Sequence, residues 1–379
     1  GDALQIDLTP HATRLPSCGG CQKPCSTTHE YCERVIRDLP ILGRAVRLSV
    51  LLRRVSCRDC GKRMEAVSWL DRYARMTRRL AEAVIQACER LPTLHVAQMF
   101  GLHCDTVRLL ERRALQAALS DLPKAQPRRL VMDEFALFKG HRYASVVLDA
   151  DTRRVLWIGE GRSRAAVRPF FEELGPEGCA RIEAVAMDMN TAFDLEVRQH
   201  CPNARVVYDL FHVVAKYGRE VIDRVRVDEA NRLRHDKPAR QVIKQARWLL
   251  LRNPQNLKTP EQQVRLEDLL AANHALMKVY LMKTELKTLW TTSTAWGWRS
   301  AWKQWLRHAH ESEIPALIQF AKRLKSYWRG IVSRVRWPMH TGQLEGINNR
   351  IKVIKRMAYG YRDSEFFFMK IKSVFPGNS

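Results

Sequence analysis

The sequence predicts a multi-domain α+β protein. A cysteine-rich β module and a helical domain precede an α/β domain that a long helical segment interrupts. Three observations carry this prediction. Cysteine pairs flank a stretch with the alternation of a β-strand, apolar runs ending in carboxylates follow a linker, and a helical pattern then continues for more than one hundred residues. With 379 residues, the chain is long enough for two or three domains.

The N-terminal module, predicted for residues 1–70, contains two Cys-x-x-Cys pairs. Six of the ten cysteines lie between Cys18 and Cys60, and without an export signal such a cluster indicates metal binding before disulfides. Ala45 to Cys57 alternates apolar and charged residues as a β-hairpin does, and a hairpin would bring the pairs together. This spacing predicts one structural Zn²⁺. The predicted ligands are Cys18, Cys21, Cys57 and Cys60, with Cys25, His29 and Cys32 as alternatives for one position.

Residues 71–122 are predicted to form a helical DNA-binding domain. Thr93–Arg112 fits a helix-turn-helix with its turn at Gly101, because the apolar residues on both sides are spaced to pack two helices together. An ordinary helical hairpin is the alternative, and the basic charge of the chain favours DNA binding. The second helix would present outward Asp105, Thr106, Arg108, Arg112 and Arg113. Arg78 and Arg79 start the preceding helix, where they can contact phosphates.

A linker with two prolines, Asp121–Arg129, leads into the first part of the α/β domain, predicted for residues 126–215. Three strand-like runs in hairpin connection come first. A helix, a fourth strand, a second helix and a fifth strand follow them. This order is that of a ribonuclease H-like fold. Asp133 falls on the first strand and Asp188 at the end of the fourth.

Three carboxylates form the candidate active site. Asp133 and Asp188 each end an apolar run, as carboxylates at the tip of a buried strand do, and Glu345 begins a basic segment in the last predicted part, residues 338–379. Carboxylates converging from two strands and a helix can hold a pair of Mg²⁺ (or Mn²⁺) ions that cut and join phosphodiester bonds. A lone acidic residue at a strand end is more often a cap, and the rivals are Glu134, Asp149 and Asp209.

The charge distribution favours a polyanionic partner. Lys and Arg number 64 against 40 Asp and Glu, a net charge of +24, which suits no small-molecule enzyme particularly well. Residues 126–210 contain 12 basic and 13 acidic side chains, whereas residues 316–379 contain 13 and 3. Lys352, Lys355 and Arg356 follow Glu345 and are expected to hold phosphates. No apolar run is long enough to span a bilayer, so we expect a cytoplasmic protein with no membrane partner.

Between the fifth strand and the segment with Glu345, residues 216–337 are predicted to be an all-helical insertion. Five tryptophans within sixteen residues stand out there: Trp290, Trp296, Trp298, Trp302 and Trp305. Their indoles could stack on an unpaired base. Burial in the core of a helical subdomain is the commoner use of tryptophan, and we favour it.

The chain resembles the DDE transposases of bacterial insertion sequences, in the ISL3 family. The motifs that carry the resemblance cover nearly the whole chain: CGGC, CRDC, RDLPILGRAVRL, MDEFALFKGHRYASVV, MDMN, VVYDLFHVV and LEGINNRIKVIKRMAYGYRD. The resemblance implies that Asp133, Asp188 and Glu345 are the catalytic triad. It also implies that Asp209 and His212, in the Asp-x-Phe-His stretch, support the site or position DNA.

These observations together predict a transposase that binds the terminal inverted repeats of its element, cleaves to leave a free 3′-OH, and joins that end to target DNA. Its partners would be double-stranded DNA, as transposon ends and target, and a second copy of the chain in a synaptic dimer at the bacterial nucleoid. One alternative is a catalytically silent, sequence-specific DNA-binding regulator. A structure-selective nuclease of the same fold is another, and the zinc module with a helix-turn-helix argues against it.

Overall fold

The computed structural model describes residues 3–378 except residues 139, 141, 253 and 258. It divides into two compact units. One holds the chain up to Leu122 together with Ile351–Ser373, and the other holds Pro123–Arg350 and the chain from Val374 onward. Among the described residues, no helix combines the length and the apolar character that a membrane span requires.

The first unit begins with a sheet of four strands. These are β1 (Leu4–Leu8), β2 (Thr28–Ile41), β3 (Arg44–Cys57) and β4 (Gly61–Met64). The central strand is β3, which pairs parallel with β1 and antiparallel with β2 and β4. The expected strand over Ala45–Cys57 is confirmed, but it is one arm of the hairpin rather than a whole hairpin. Its partner β2 was not predicted, because polar and charged side chains occupy both of its faces and hide the alternation.

Three helices follow, α1 (Arg78–Cys88), α2 (Thr93–Phe100) and α3 (Cys104–Ser120). Gly101 ends α2 in the left-handed conformation (φ 58°), which glycine adopts without strain, so the predicted turn is confirmed. The helices pack around buried Val84, Val96 and Val107. His103 caps α3, because its Nδ1 accepts a hydrogen bond from the Asp105 amide at 3.3 Å.

The second unit contains a mixed sheet with the predicted connection order. Its strands are β5 (Arg129–Phe138), β6 (Arg142–Asp149), β7 (Val155–Glu160), β8 (Ala184–Met187) and β9 (Arg205–Tyr208), arranged β7-β6-β5-β8-β9. The pairs of β6 with β5 and β7 are antiparallel, and β8 pairs parallel with β5 and β9. Two helices connect β7 to β8 and β8 to β9, α4 (Arg164–Ala180, broken at Gly175) and α5 (Thr191–His200).

The predicted insertion is helical in its described residues and continues the core of the sheet. Its helices are α6 (Leu210–Tyr217), α7 (Asp223–Arg232), α8 (Lys237–Gln245), α9 (Arg247–Leu251), α10 (Pro260–Ala272), α11 (His274–Thr288), α12 (Ala295–Glu311), α13 (Pro315–Ser326) and α14 (Trp328–Val332). Short helical turns occupy Gly218–Ile222, Pro254–Asn256 and Ser333–Val335. The sheet residue Tyr208 packs edge-on against Tyr327. Gly330 faces the Tyr208 ring so closely that an added Cβ would lie 2.3 Å from that ring, so only glycine fits at position 330.

Two further helices end the chain, α15 (Gly342–Met357) and α16 (Ser364–Val374). The division between the two units falls within α15, between Arg350 and Ile351. The segment 338–379 is therefore shared between them. The predicted boundaries near residues 70, 122, 215 and 337 remain predictions.

Candidate active site and nucleic-acid interface

Strand register aligns three aspartates at one edge of the sheet. The parallel pairing of β5 with β8 sets Val131 opposite Ala186, and continuing that register two residues sets Asp133 level with Asp188. The pairing of β8 with β9 sets Met187 opposite Tyr208. Asp188 and Asp209 directly follow these two residues in the chain, so they are level with each other. Asp133 therefore lies inside β5, which continues to Phe138, and not at a strand tip as predicted, whereas Asp188 and Asp209 follow the ends of β8 and β9.

Burial and like charges set the ionisation of the first two aspartates. Burial raises the pKa of Asp133 to about 6, with further raising by Asp188 and Glu134 and partial compensation by the Glu134 amide and by His212. Burial likewise raises the pKa of Asp188, where Glu134 adds to the effect and His212 and Lys216 oppose it. Both carboxylates therefore lie where an added cation would be stabilised electrostatically.

Asp209 has a different environment, although it is level with the other two. Its Oδ1 accepts from the Phe211 amide at 2.9 Å and so caps α6, and its Oδ2 accepts from the amide and hydroxyl of Thr341 at 2.7 and 2.6 Å. Burial would raise the pKa of Asp209, but these hydrogen bonds and the charge of His212 outweigh it and lower the pKa. Its lone pairs are already used to hold Thr341, the residue before α15.

Helix α15 connects to the aspartates through an asparagine. Asn348 Nδ2 donates to Asp133 Oδ2 at 2.9 Å, and Glu134 N donates to Asp133 Oδ1 at 2.8 Å. Glu345 lies three residues before Asn348, on the same side of the helix. Its side chain is exposed and forms no hydrogen bond or ion pair with a described residue. Among the described residues, the carboxylate oxygens of Asp133, Asp188 and Glu345 do not form a group in which all ligand atoms lie within 4.8 Å of one another.

The donor atoms around Asp133 fit a hard divalent cation. Two buried oxygen atoms there, Glu134 Oε2 and Asn348 Oδ1, have no hydrogen-bond partner among the described residues. The other oxygen of Glu134 accepts from Arg162 at 3.1 Å. Buried, unpartnered oxygens beside two carboxylates with raised pKa values are the donor type that Mg²⁺ and Mn²⁺ prefer. Sequence reasoning named Glu134 only as a rival and assigned no role to Asn348.

The four predicted zinc ligands form one cluster in the first unit. The sulfur atoms of Cys18, Cys21, Cys57 and Cys60 all lie within 4.8 Å of one another. Gly20 lies against the cluster, where an added Cβ would be 3.1 Å from the Cys60 sulfur. Amide hydrogen bonds from Cys60 and Asp59 lower the pKa of Cys57 to about 6, which favours the thiolate that binds metal. The arrangement fits a structural zinc ion, and the alternatives Cys25, His29 and Cys32 lie outside this four-sulfur group.

The arginines predicted to read DNA are engaged within the first unit. Asp363 Oδ2 accepts from Arg108 at 2.7 Å and also from Arg112, and both guanidinium groups lie over the Phe366 ring. Lys370 of α16 pairs with Glu111 of α3 at 2.5 Å, so α16 packs along the same helix. Arg113 is exposed and Thr106 half-buried.

The predicted phosphate contacts differ in their surroundings. Arg78 pairs with Asp71 at 2.7 Å. Arg79 pairs with the buried Asp38, and its hydrogen bond holds the pKa of that carboxyl at about 2. On α15, Lys352 and Arg356 are exposed, whereas Lys355 is half-buried and its burial lowers its pKa.

Comparison with known proteins assigns the family. Residues 130–371 match the transposase model of the ISL3 family, which is a DDE transposase domain. Residues 65–113 match the helix-turn-helix domain of transposase family ISL3, and residues 14–60 match the zinc-finger of transposase IS204/IS1001/IS1096/IS1165.

Two curated relatives match along most of their length. The transposase for insertion sequence element IS1001 from Bordetella parapertussis is 52% identical, over 100% of this chain and 93% of the relative. The transposase for insertion sequence element IS1557 from Mycobacterium tuberculosis is 26% identical, over 96% of this chain and 87% of the relative. The chain therefore belongs to the ISL3 family of insertion-sequence transposases.

Proposed function

We propose that this transposase binds the terminal inverted repeats of its own insertion sequence, cleaves them, and transfers the ends to target DNA, with Asp133, Asp188 and Glu345 as metal ligands. The observation that carries the proposal is the register at the sheet edge. It sets Asp133 level with Asp188, and Asn348 ties Asp133 to the helix that bears Glu345.

The donor set supports Mg²⁺ or Mn²⁺ at this edge. Asp133 and Asp188 are half-buried with raised pKa values, and the Glu345 carboxylate is not bound by any described residue. When bound, the metal supplies Lewis-acid stabilisation of the negative charge that develops on the scissile phosphate.

The residues around the triad hold it in place. Asn348 orients Asp133 through Oδ2, and Asp209 fixes the start of α15 through Thr341. His212, which opposes the raised pKa values of Asp133 and Asp188, is assigned to stabilising the carboxylate forms. In cleavage, a water oxygen forms a bond to phosphorus and the bond to the 3′ oxygen breaks, leaving a 3′-OH. In transfer, that hydroxyl attacks a target phosphate, and the target's own 3′ oxygen leaves.

DNA binding is divided between two kinds of residue. Thr106, Arg108, Arg112 and Arg113 on α3 are assigned to the element's ends, and phosphate contacts are assigned to Arg78, Arg79, Lys352, Lys355 and Arg356. Joining both ends of an element requires two active sites in one complex, so we assign a homodimer to the synaptic state. Its site of action would be the bacterial nucleoid, where both DNA partners lie.

A cleavage assay tests the proposal. On duplexes carrying the element's ends, Asp133→Asn, Asp188→Asn and Glu345→Gln should each lower Mg²⁺-dependent cleavage to below about one hundredth of the wild-type rate, because each removes a ligand charge and little volume. Asp151→Asn, at an exposed aspartate of the same unit that pairs with Arg129, is the matched control and should cleave normally.

The same assay separates the alternatives. Wild-type-like cleavage by one carboxylate variant removes that residue from the triad. Absence of cleavage by the unmodified protein, with intact end binding, would favour the silent regulator. Equal cleavage of unrelated duplexes would favour the nuclease.

A further inference from the structure

The helix α12 has two faces of opposite character. Trp298, Trp302 and Trp305 on its inner face are buried, and their rings stack with centroids 5.3 and 6.0 Å apart. Trp305 Nε1 donates to the Met282 carbonyl at 3.0 Å. These indoles belong to the core, as the sequence favoured. Trp296, from the same cluster, does not, because 82% of it is exposed.

The outer face of α12 carries a row of cations beside that exposed indole. Trp296, Arg299, Lys303 and Arg307 are spaced by three, four and four residues, which places them along one side of a helix. The three basic side chains are exposed, and none forms an ion pair with a residue in the described part of the chain. Glu311, the one acidic residue of α12, forms none either. With a rise of 1.5 Å per residue, successive cations lie about 6 Å apart along the axis.

This face suits an unpaired nucleic acid strand. Like charges four residues apart destabilise a helix, so a row that no described carboxylate neutralises favours an external polyanion. Large exposed aromatic side chains stack on bases only where the bases are not already stacked in a duplex. Cations along a backbone with an aromatic platform at one end are the combination found in proteins that bind single strands.

We propose that the outer face of α12 binds an unpaired DNA strand, with Trp296 stacked on a base and Arg299, Lys303 and Arg307 on successive phosphates. The proposal rests on the proposed function, because cleavage of the two strands at offset positions leaves unpaired nucleotides at an element's end. This strand-binding face is separate in the chain from the α3 helix and from the carboxylate edge.

Binding titrations of the full chain without divalent metal test the indole. The probes are a fluorescein-labelled single-stranded oligonucleotide of mixed sequence and its blunt duplex. Trp296→Ala should weaken single-strand binding by about five-fold to one-hundred-fold, and Trp296→Phe should restore most of it, because a ring remains to stack. Binding to the duplex should change little. Trp248→Ala is the matched control, since Trp248 is also exposed in the insertion but packs beside Arg247 on α9.

The cations are tested through salt dependence. Joint substitution of Arg299, Lys303 and Arg307 by Ala should lower the slope of log affinity against log salt on the single strand by about 2, since each contact to a single-strand phosphate contributes roughly 0.7. Lys237→Ala with Lys244→Ala, on exposed positions of α8, should leave the slope nearly unchanged. All these side chains are exposed, so circular dichroism should show native folding.

Two results would overturn the proposal. One is a Trp296→Ala protein that binds the single strand like wild type. The other is equal loss on the duplex, which would make the face a general phosphate contact. In the first case, an accompanying change of molecular mass in light scattering would assign Trp296 to a protein interface. Failure of the proposed function is recognised separately, because a protein that cleaves no end can still bind the single strand through α12.

Discussion

At the scale of single residues, hydrogen-bond partners distinguish aspartates that are equally good active-site candidates in the sequence. Asp149 was a rival for the active site, yet its oxygens accept from the Asp151 amide and the Thr152 hydroxyl, as a turn cap does. Asp209 is level with Asp188 but is saturated by Phe211 and Thr341. Apolar runs ending in Asp predicted Asp188 correctly at the end of β8, but Asp133 lies inside β5 and not at its tip. They could not predict which oxygens stay available, because that depends on hydrogen bonds from distant segments.

Asn348 illustrates what the sequence missed. It lies 215 residues from Asp133 in the chain and orients it through one hydrogen bond. Asn348→Ala should raise the Mg²⁺ concentration for half-maximal cleavage by about ten-fold to one-hundred-fold, because residues that orient metal ligands typically contribute that much. The maximal rate at saturating Mg²⁺ should fall less. Metal titrations of cleavage measure both.

Asn349→Ala is the neighbouring control, at an exposed position of α15. An unchanged Mg²⁺ requirement in Asn348→Ala would mean that Asp133 holds its orientation without the amide. A loss of maximal rate alone would place Asn348 in contact with DNA rather than with the carboxylate.

At the scale of elements, the helix α3 was predicted from its apolar pattern, but the ion pairs that its arginines form with Asp363 were not. Asp363 caps α16 by accepting from the Phe366 amide at 3.0 Å, and its other oxygen binds Arg108 and Arg112. The sequence separation of 255 residues between Arg108 and Asp363 explains the omission, since helical periodicity reports only neighbouring turns.

The contact of Asp363 with Arg108 and Arg112 can be tested by its effect on DNA binding. Asp363→Asn keeps a good cap for α16 and removes the charge that holds both guanidinium groups. If DNA competes with Asp363, the variant should bind duplex DNA more tightly, and its salt slope should steepen by up to about 2. Arg108→Ala should lose discrimination between the element's ends and scrambled duplex. Weaker binding by Asp363→Asn would instead show that the carboxylate positions the arginines for DNA.

The cysteine-rich module is the element that the sequence described best, because metal ligands recur at fixed spacing. Cys57→Ser should release zinc and unfold the sheet around β3, since a small module without its metal cannot bury enough apolar surface. Elemental analysis and amide hydrogen exchange measure the two effects. Cys32→Ser, a half-buried cysteine on β2 outside the cluster, is the control and should keep both zinc and protection. Protein purified without zinc but with a protected β3 would contradict the zinc assignment.

At the scale of the whole molecule, local patterns predicted the order of elements but not their grouping. The five strands and their connections followed from apolar runs and turn residues. That Ile351–Ser373 groups with the N-terminal unit did not, because ion pairs such as Lys370 with Glu111 join segments far apart in sequence. The tryptophan cluster shows a different limit, since we predicted one fate for all five indoles, whereas the helical spacing of α12 separates Trp296 from the buried face.

The net charge of +24 predicts a contribution to DNA binding that is the same for all DNA sequences. Lys352 and Arg356 are exposed on α15, four residues apart, and so lie on one side of the helix. Phosphate contacts carry no sequence information. Joint substitution of both residues by Ala should therefore weaken binding to the element's ends and to scrambled duplex by the same factor. It should also lower the salt slope by up to about 2 on both. Titrations at several salt concentrations measure this. A loss confined to the element's ends would assign base reading to α15, in place of α3.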